Sequence, residues 1–359
     1  VVLVTAGGAT EPFSTYARGG VPTGQEYGTQ VGQWAAQYGL DGVDFDLEAD
    51  AGDSALFSSG QAASWIIAAH RAARAALGPA AVITHAPQAP YFGTWAGAAR
   101  GYVAVYAAVP DIAWFNVQYY NQGAGAYEQY SEVFVTGLDW RAGTAVAEIA
   151  AAGVPLEKLA VGKYLRTSYG SSGWMTVDTL ASAARRARLE LGWGGGAMVW
   201  MWDVDADGAA KAWGTTMHAA VCPAAAAPSP APQASTTPVG TTPPPVAPPK
   251  SMVPVSPPPV GGAPQAVVPP PTAVPRAVVP PGPVAAPQGG QGAQGCGRVV
   301  VYVDYKVGSW TDLTGDIKAA VDAGYSAINL AFWMKAGPAD AAQVWMGMTT
   351  EQRATALLY

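Results

Sequence analysis

The stretch LDGVDFDLEAD, residues 40–50, concentrates carboxylates in a chain that carries little charge. Three of its acids are two residues apart, with apolar residues between them: Asp44, Asp46 and Glu48. Successive side chains of a β-strand point to opposite faces, so these three carboxylates would project the same way. The apolar residues between them favour a buried strand over a solvated acidic edge. Such a row of acids suits proton transfer.

Three carboxylates side by side in a low-dielectric interior cannot all ionise at low cost, so at least one pKa should rise. Glu48, the last of the row, would be a natural general acid. The Cα atoms of Asp46 and Glu48 would lie about 6–7 Å apart on one strand. The usual glycosidases place two carboxyls on opposite sides of the scissile bond. This spacing therefore better fits one acid that protonates, beside one that steadies a nucleophile carried by the substrate.

A metal site is a second interpretation of the acids, because hard cations favour oxygen ligands. Taken as a calcium-binding EF-hand loop, DFDLEADAGDSA lacks the glycine at position six and the glutamate at position twelve. The segment DVDADG, residues 203–208, has the spacing of such a loop's start, but Gly214 occupies the twelfth position. We interpret it as a turn between a strand and a helix, and we expect no metal and no cofactor.

The composition of the 359 residues limits the partners of the protein. Charged residues make up 12%, the net charge is −6, and the basic residues form no stripe. A nucleic-acid or anionic-membrane partner is therefore not expected. Apolar residues reach 50%, but no uninterrupted run approaches the roughly 18 needed to span a bilayer. We expect a soluble protein and a monomer.

Residues 222–295 differ from the rest, because they hold 23 of the 31 prolines and no acid. Such a sequence predicts a disordered, partly polyproline II linker, with a Pro-rich ligand for a recognition domain as the alternative. It separates residues 1–221 from residues 296–359. The two cysteines, Cys222 and Cys296, stand at its ends.

Residues 1–221 alternate short apolar runs with Ala-rich segments of helical length. This pattern is typical of a parallel sheet covered by helices on both faces. The predicted strands are Val1–Ala6, Gly42–Leu47, Ala81–Ala86, Ile112–Tyr119, Leu159–Tyr164 and Gly196–Trp202. Two more follow the linker, in RVVVYVDYK and SAINLAFWM, and a final helix has capping-box spacing at Thr349 and Gln352. Eight strands predict an α/β fold of the (β/α)₈ barrel type, with an open doubly wound sheet as the alternative.

DGVDFDLE resembles the DxxDxDxE signature of family 18 glycoside hydrolases, the chitinases and their relatives. The matches to the plant class III, hevamine-like branch and to secreted fungal chitinases cover nearly everything outside the linker. Thr5 and Ala6 depart from the family's S-x-G-G strand. The matching segments are VTAGG (residues 4–8), HAPQAPYF (85–92), VQYYN (117–121), GGAMVWMW (195–202), RVVVYVDYK (298–306) and INLAFW (328–333).

The resemblance implies a substrate-assisted, retaining hydrolysis of β-1,4-linked N-acetylglucosamine in chitin or its oligosaccharides, by a secreted enzyme. Glu48 would protonate the glycosidic oxygen and later activate water. Asp46 would hold the N–H of the substrate's acetamide while exchanging a proton with Asp44, and Tyr120 would donate its hydroxyl to the acetamide carbonyl. Asp41 would support the turn into the strand. The residues implied in sugar binding are Gly8, Gln88, Gln118, Asn121, Trp200, Tyr302 and Phe332.

The order of the matching segments departs from the family. The strands that are first and second there follow the linker here, and the family's strands three to eight precede it. The chain would be either a circular permutant or a window cut from a tandem array, and in both cases residues 296–359 could close the barrel. Cys222 and Cys296 would then meet at its base and form a disulfide, with free or separately paired thiols as the alternative.

Two other functions remain open at this point. An endo-β-N-acetylglucosaminidase that acts on N-glycans shares the acidic motif and the mechanism. An inactive, lectin-like chitin-binding module is the alternative that is not an enzyme. The intact residues Asp44, Asp46, Glu48 and Tyr120 argue against the inactive module.

Overall fold

A computed structural model describes residues 1–11, 13–49, 54–202, 207–222, 295–304 and 311–359. Within these ranges, eight parallel strands form one closed sheet in which β1 pairs with both β2 and β8. The (β/α)₈ barrel predicted from the sequence is therefore confirmed. The strands are β1 (Val2–Gly7), β2 (Gly42–Asp46), β3 (Val82–His85), β4 (Phe115–Gln118), β5 (Leu159–Tyr164), β6 (Gly196–Trp202), β7 (Arg298–Val303) and β8 (Ala327–Met334). A two-residue strand, β9 (Gly337–Pro338), pairs antiparallel with the end of β8.

The described ranges also contain eleven α-helices, which pack around the outer face of the strands. None of them has both the length and the apolar composition that crossing a bilayer requires. The helices are α1 (Phe13–Arg18), α2 (Gly20–Gln37), α3 (Ser54–Ser58), α4 (Gln61–Leu77), α5 (Tyr102–Ala108), α6 (Val146–Ala151), α7 (Val177–Leu191), α8 (Asp207–Val221), α9 (Thr314–Asp322), α10 (Asp340–Gly347) and α11 (Thr350–Ala356).

Helices α2 and α4 pack closely because α2 carries glycine at every fourth position: Gly24, Gly28 and Gly32. Residues four apart share one face of a helix. At Gly28, an added Cβ would lie 2.0 Å from the carbonyl oxygen of Ala69 on α4. Only glycine allows the two backbones to approach this closely. The α4 face opposite is rich in alanine, so both sequences fit the short distance.

Side chains at alternate strand positions face the barrel interior. The lowest layer is apolar and includes Leu3, Trp114, Ala160, Met198, Val300 and Ala327. The layer above it is polar and fully buried: Thr5, Asp44, Thr84, Asn116, Tyr302 and Asn329. The acidic end of β2 therefore rests on a sealed base and opens only toward the carboxyl ends of the strands.

The two strands near the carboxyl terminus lie in the same sheet as the first six. Gly196 on β6 pairs with Arg298 on β7, and Val2 on β1 pairs with Ile328 on β8. Beside the β6–β7 pairing, the sulfur atoms of Cys222 and Cys296 are bonded in a disulfide. The predicted linker lies outside the described residues except at its two ends.

Candidate active site

Three acids lie in a row at the carboxyl end of β2, and their exposure increases along the row. Asp44 is fully buried in the interior, and Asp46 is 4% exposed. Glu48 follows the strand and is partly exposed. This is the end of a (β/α)₈ barrel at which enzymes of this fold place their reacting groups. Glu48 is therefore the most accessible acid of the row.

Asp44 accepts hydrogen bonds from donors on three other strands. Its Oδ1 accepts from Thr84 Oγ1 at 2.5 Å and from Asn116 Nδ2 at 3.1 Å, and its Oδ2 accepts from the Tyr302 hydroxyl at 2.6 Å. Burial raises the pKa of Asp44 to about 6, although these donors stabilise its carboxylate. Above that pH, Asp44 is a buried anion held by three neutral donors.

Asp46 and Glu48 each contact a glutamine. Gln118 Nε2 donates to Asp46 Oδ1 at 2.8 Å, and Gln88 Nε2 donates to Glu48 Oε2 at 2.6 Å. Burial raises the pKa of Asp46 well above its ordinary value, and the charges of Glu48 and Asp44 raise it further. Burial also raises the pKa of Glu48, against the two glutamine amides. The row therefore retains protons at a pH where isolated carboxyls are ionised, as the spacing predicted.

Tyr120 follows β4 and supplies a neutral hydroxyl beside the acids. Its ring is 6% exposed and makes an edge contact with Tyr164, with centroids 5.9 Å apart. Burial raises the pKa of Tyr120 well above 10, and the charges of Asp46 and Glu48 add to the shift. Tyr120 is thus a hydrogen-bond donor at neutral pH.

Aromatic rings from two strands form a partly exposed floor beside the acids. The ring centroid of Trp200 lies 5.7 Å from that of Phe332, and both side chains are partly exposed. Gly8 packs against Phe332, because a Cβ there would lie 2.9 Å from the ring. Tyr302, which was also predicted to bind sugar, is buried instead. Its side chain is 1% exposed, and its hydroxyl donates to Asp44.

Two other residues singled out in the sequence accept hydrogen bonds from backbone N–H groups. Asn121 has a positive φ of 58°, and its Oδ1 accepts the backbone N–H of Ser171 at 2.7 Å. It therefore holds the segment after β5 against the segment after β4. Asp41 lies at the opposite end of β2, where its Oδ2 accepts the backbone N–H of Val2 at 2.7 Å. Asp41 joins β1 to the start of β2, far from the acids.

Sequence inspection missed Lys163, a fully buried lysine on β5. Its Nζ donates to the carbonyl oxygens of Tyr119 at 2.8 Å, Tyr127 at 2.6 Å and Gly173 at 2.9 Å. Burial lowers the pKa of Lys163 to about 7. The amine therefore joins the segment after β4, which contains Tyr120, to the segment after β5. Its signal in the sequence is a lysine inside the apolar run LAVGKY.

Sequence inspection also missed Thr84 and Asn116. Each is a polar residue inside a predicted apolar strand, at the strand position that faces the barrel interior. A polar side chain at an inward position signals a partner in the interior, because buried polar groups are nearly always hydrogen-bonded. Within the described ranges, no three His, Cys, Asp or Glu side chains are grouped as metal ligands would be.

No protein-family model matches the chain, and no curated protein matches it. Among solved structures, the chain is similar to a GH18 chitinase from Pseudoalteromonas aurantia, with 27% identity over 56% of this chain and 69% of that one, at a TM-score of 0.45. It is similar to a chitinase from Aspergillus fumigatus, with 20% identity over 56% and 65% of the two chains, at a TM-score of 0.39. A GH18 chitinase from Cycas revoluta in complex with (GlcNAc)₃ is 24% identical over 45% of this chain and 49% of that one, at a TM-score of 0.34.

Proposed function

We propose that this protein is a chitinase that hydrolyses β-1,4 linkages between N-acetylglucosamine units by a substrate-assisted, retaining mechanism. The observation that carries the proposal is the row of three acids with raised pKa values at the barrel mouth. It lies beside an aromatic floor on which a sugar ring can stack. A single partly exposed acid in front of two buried ones suits proton donation to a leaving group.

In the proposed mechanism, Glu48 donates its proton to the glycosidic oxygen as the bond to the anomeric carbon breaks. The acetamide carbonyl oxygen of the same sugar attacks that carbon, so the nucleophile belongs to the substrate. Asp46 accepts the acetamide N–H, and the neutral hydroxyl of Tyr120 donates to the carbonyl oxygen. Glu48, now a carboxylate, then takes a proton from the water that opens the cyclic intermediate and restores the starting configuration.

Trp200 and Phe332 would hold the sugar ring, and Gln88 and Gln118 would set the orientation of the two outer acids. We assign Asp44 an electrostatic role, which its inward position supports. As an anion it favours the protonated form of Asp46, which is consistent with the direction of the shift at Asp46. Tyr302 and Gly8 would support the site from behind the aromatic rings that hold the sugar.

We further propose that the enzyme acts as a monomer outside the cytosol, with residues 222–295 as a linker between the two parts of the barrel. A disulfide persists mainly in oxidising compartments, and the Cys222–Cys296 bond supports this location.

The decisive experiment compares wild type with Glu48→Gln on dye-labelled chitin oligomers. Removing a general acid typically costs 10²- to 10⁴-fold, so we expect kcat to fall at least about 100-fold. The matched control is Glu26→Gln, an exposed glutamate on α2 that contacts Gln30, which should retain full activity. Equal activity of Glu48→Gln and wild type would contradict catalysis by Glu48.

Two further substrates separate the remaining functions. Fully deacetylated oligomers lack the acetamide nucleophile and should not be cleaved, whereas a two-carboxylate hydrolase would tolerate its loss. Activity on a high-mannose glycopeptide alone would favour the endo-β-N-acetylglucosaminidase. Binding of chitin oligomers without turnover by wild type would favour the lectin-like module.

A further inference from the structure

Trp114 lies at the base of the barrel, one layer below Asp44. It is 5% exposed, and the Arg298 guanidinium lies 4.9 Å from its ring centroid. Arg298 is itself held by the carbonyl oxygen of Glu157 at 2.8 Å. The indole N–H points upward into the interior and donates to Asn116 Oδ1 at 2.9 Å. The ring is therefore fixed from below, and its single donor is directed at one amide.

The bond from Trp114 and the carboxylate of Asp44 favour the same orientation of the Asn116 amide. With Oδ1 on the indole, Nδ2 faces Asp44 Oδ1 at 3.1 Å and the Tyr302 oxygen at 3.2 Å. In the flipped amide, Oδ1 would face the Asp44 carboxylate, and Nδ2 would face the indole N–H. Both pairs would then be mismatched, because a carboxylate oxygen accepts and an indole N–H only donates. A buried mismatch of this kind is costly.

We propose that Trp114 is a positioning residue for catalysis: its indole N–H locks the Asn116 amide in the orientation that holds the Asp44 carboxylate as an anion behind Asp46 and Glu48. The proposal rests on the proposed function of the three acids. Trp114 touches neither a reacting atom nor any of the acids. It acts only through Asn116.

The groups that face Asp44 come from every neighbouring strand, and the titratable ones are acids or phenols. Thr5 of β1, Thr84 of β3 and Tyr302 of β7 surround it, Asp46 and Glu48 continue its own row, and Tyr120 lies above. The anion therefore depends on neutral donors, of which Asn116 is one. A protonated Asp44 could donate to Asn116 Oδ1 only if the amide flipped, and the indole N–H opposes that flip. Without the indole, Asp44 therefore binds a proton at a higher pH, and its charge no longer supports Asp46.

The test variant is Trp114→Phe, which keeps a ring under Asn116 and removes only the indole donor. We expect the acid limb of the kcat/KM profile on chitin oligomers to move to higher pH by up to about 1 unit, the size of one buried hydrogen bond that no longer opposes the flipped amide. Trp193→Phe is the matched control, because its indole is fully buried and donates to the Leu159 carbonyl oxygen at 2.8 Å, outside the polar layer. It should lose similar stability and keep the wild-type profile.

Asn116→Leu removes the amide itself and should move the acid limb in the same direction. The double variant Trp114→Phe/Asn116→Leu should move it no further than Asn116→Leu alone, because Trp114 acts through Asn116. If Trp114→Phe does not fold, Asn116→Leu and Asn116→Ser carry the test. Profiles that match wild type in folded Trp114→Phe or in folded Asn116→Leu would overturn the proposal, and so would additive shifts in the double variant.

A second readout does not require activity. The carboxyl carbon of Asp44 in ¹³C-aspartate-labelled protein, assigned through Asp44→Asn, titrates with the ionisation of this group. Its midpoint should rise by up to about 1 pH unit in Trp114→Phe and stay unchanged in Trp193→Phe. An unchanged midpoint in Trp114→Phe overturns the positioning role. If wild type cleaves no chitin oligomer but the midpoint moves, the proposed function fails while the hydrogen-bond relay stands.

Discussion

The side-chain amide of Gln88 donates to the carboxylate of Glu48, with 2.6 Å between Nε2 and Oε2. The two residues come from adjacent strands, since Glu48 follows β2 and Gln88 follows β3. The bond stabilises the ionised form of Glu48 and so opposes the effect of burial on its pKa. Gln88 therefore adjusts the pH at which Glu48 can still donate a proton.

Gln88→Met should extend activity toward alkaline pH. Without the amide, the pKa of Glu48 rises, and Glu48 keeps its proton to a higher pH. We expect the alkaline limb of the kcat/KM profile to move up by about 0.5 to 1 unit, since Glu48 is partly exposed and the bond is partly screened. The matched control is Gln30→Met, in which the lost amide donates to the exposed Glu26. A downward movement of the alkaline limb would contradict this role of Gln88.

His70 and His85 form a buried chain of hydrogen bonds that should make the fold sensitive to acid. His70 Nε2 contacts Asp111 Oδ2 at 3.1 Å, and His70 Nδ1 contacts His85 Nε2 at 3.1 Å. Burial lowers the pKa of both rings, so the unfolded chain binds more protons than the folded chain below about pH 6.5. Each ring then lowers the free energy of unfolding by up to about 1.4 kcal/mol for every unit by which the pH falls.

His85→Phe should reduce this loss, and the measurement is urea unfolding at pH 7 and at pH 5. The difference between variant and wild type isolates the histidine, because the raised pKa values of Asp44, Asp46 and Glu48 act with the opposite sign in both proteins. His218→Asn is the control, as His218 is exposed on α8. Equal acid losses in wild type and His85→Phe would contradict the prediction.

The disulfide should contribute substantially to stability, because it closes a long segment of chain. Its cysteines are 74 residues apart, which in the loop-entropy model corresponds to about 4 kcal/mol. Replacing Cys222 and Cys296 together by serine should lower the free energy of unfolding by up to that amount, measured in guanidinium. Thiol counts on the denatured wild type provide the check: none should react before reduction and two after it.

Gly28→Ala should destabilise the protein through the contact between α2 and α4. The added methyl would overlap the Ala69 carbonyl oxygen, and the helices would have to separate. Overpacking of this kind costs about 1–3 kcal/mol, measured as a lower midpoint of thermal or urea unfolding. Gly208→Ala is the opposite case, because this α8 glycine has open space around it. The substitution should make the protein slightly more stable. Equal effects of the two substitutions would rule out the steric explanation.

Most of the barrel could be predicted from the sequence because its strands are short apolar runs. The bounds of β5 and β6 agree with the prediction, and the capping box at Thr349 is confirmed. The predicted strand Ile112–Tyr119 was too long, since regular pairing covers only Phe115–Gln118. Helices α5 and α6 contain seven and six residues, which are too few to show a clear apolar period in the sequence.

The acids could be predicted because they are local in sequence, with alternation placing them on one face. Their partners could not, since Asp44 and Tyr302 are joined only by the closure of the barrel. The same holds for Asn116, whose partner Asp44 lies 72 residues away. Propensity and spacing describe neighbours along the chain, whereas the polar layer is assembled from six different strands.

The pairing of β6 with β7 has a consequence for how the protein folds. Other pairs of strands that are consecutive in the chain join residues within about 45 positions, but Gly196 and Arg298 meet across about one hundred, which adds to the entropy cost of closing that pair. Among the described strands, the closure of the barrel between Val2 on β1 and Ile328 on β8 spans more. Contacts of such separation slow folding. We expect β6–β7 to be the last pair of consecutive strands to gain protection in pulsed hydrogen exchange during refolding. Refolding with the disulfide intact should shorten that delay, because the sulfur bridge already brings these two strands together.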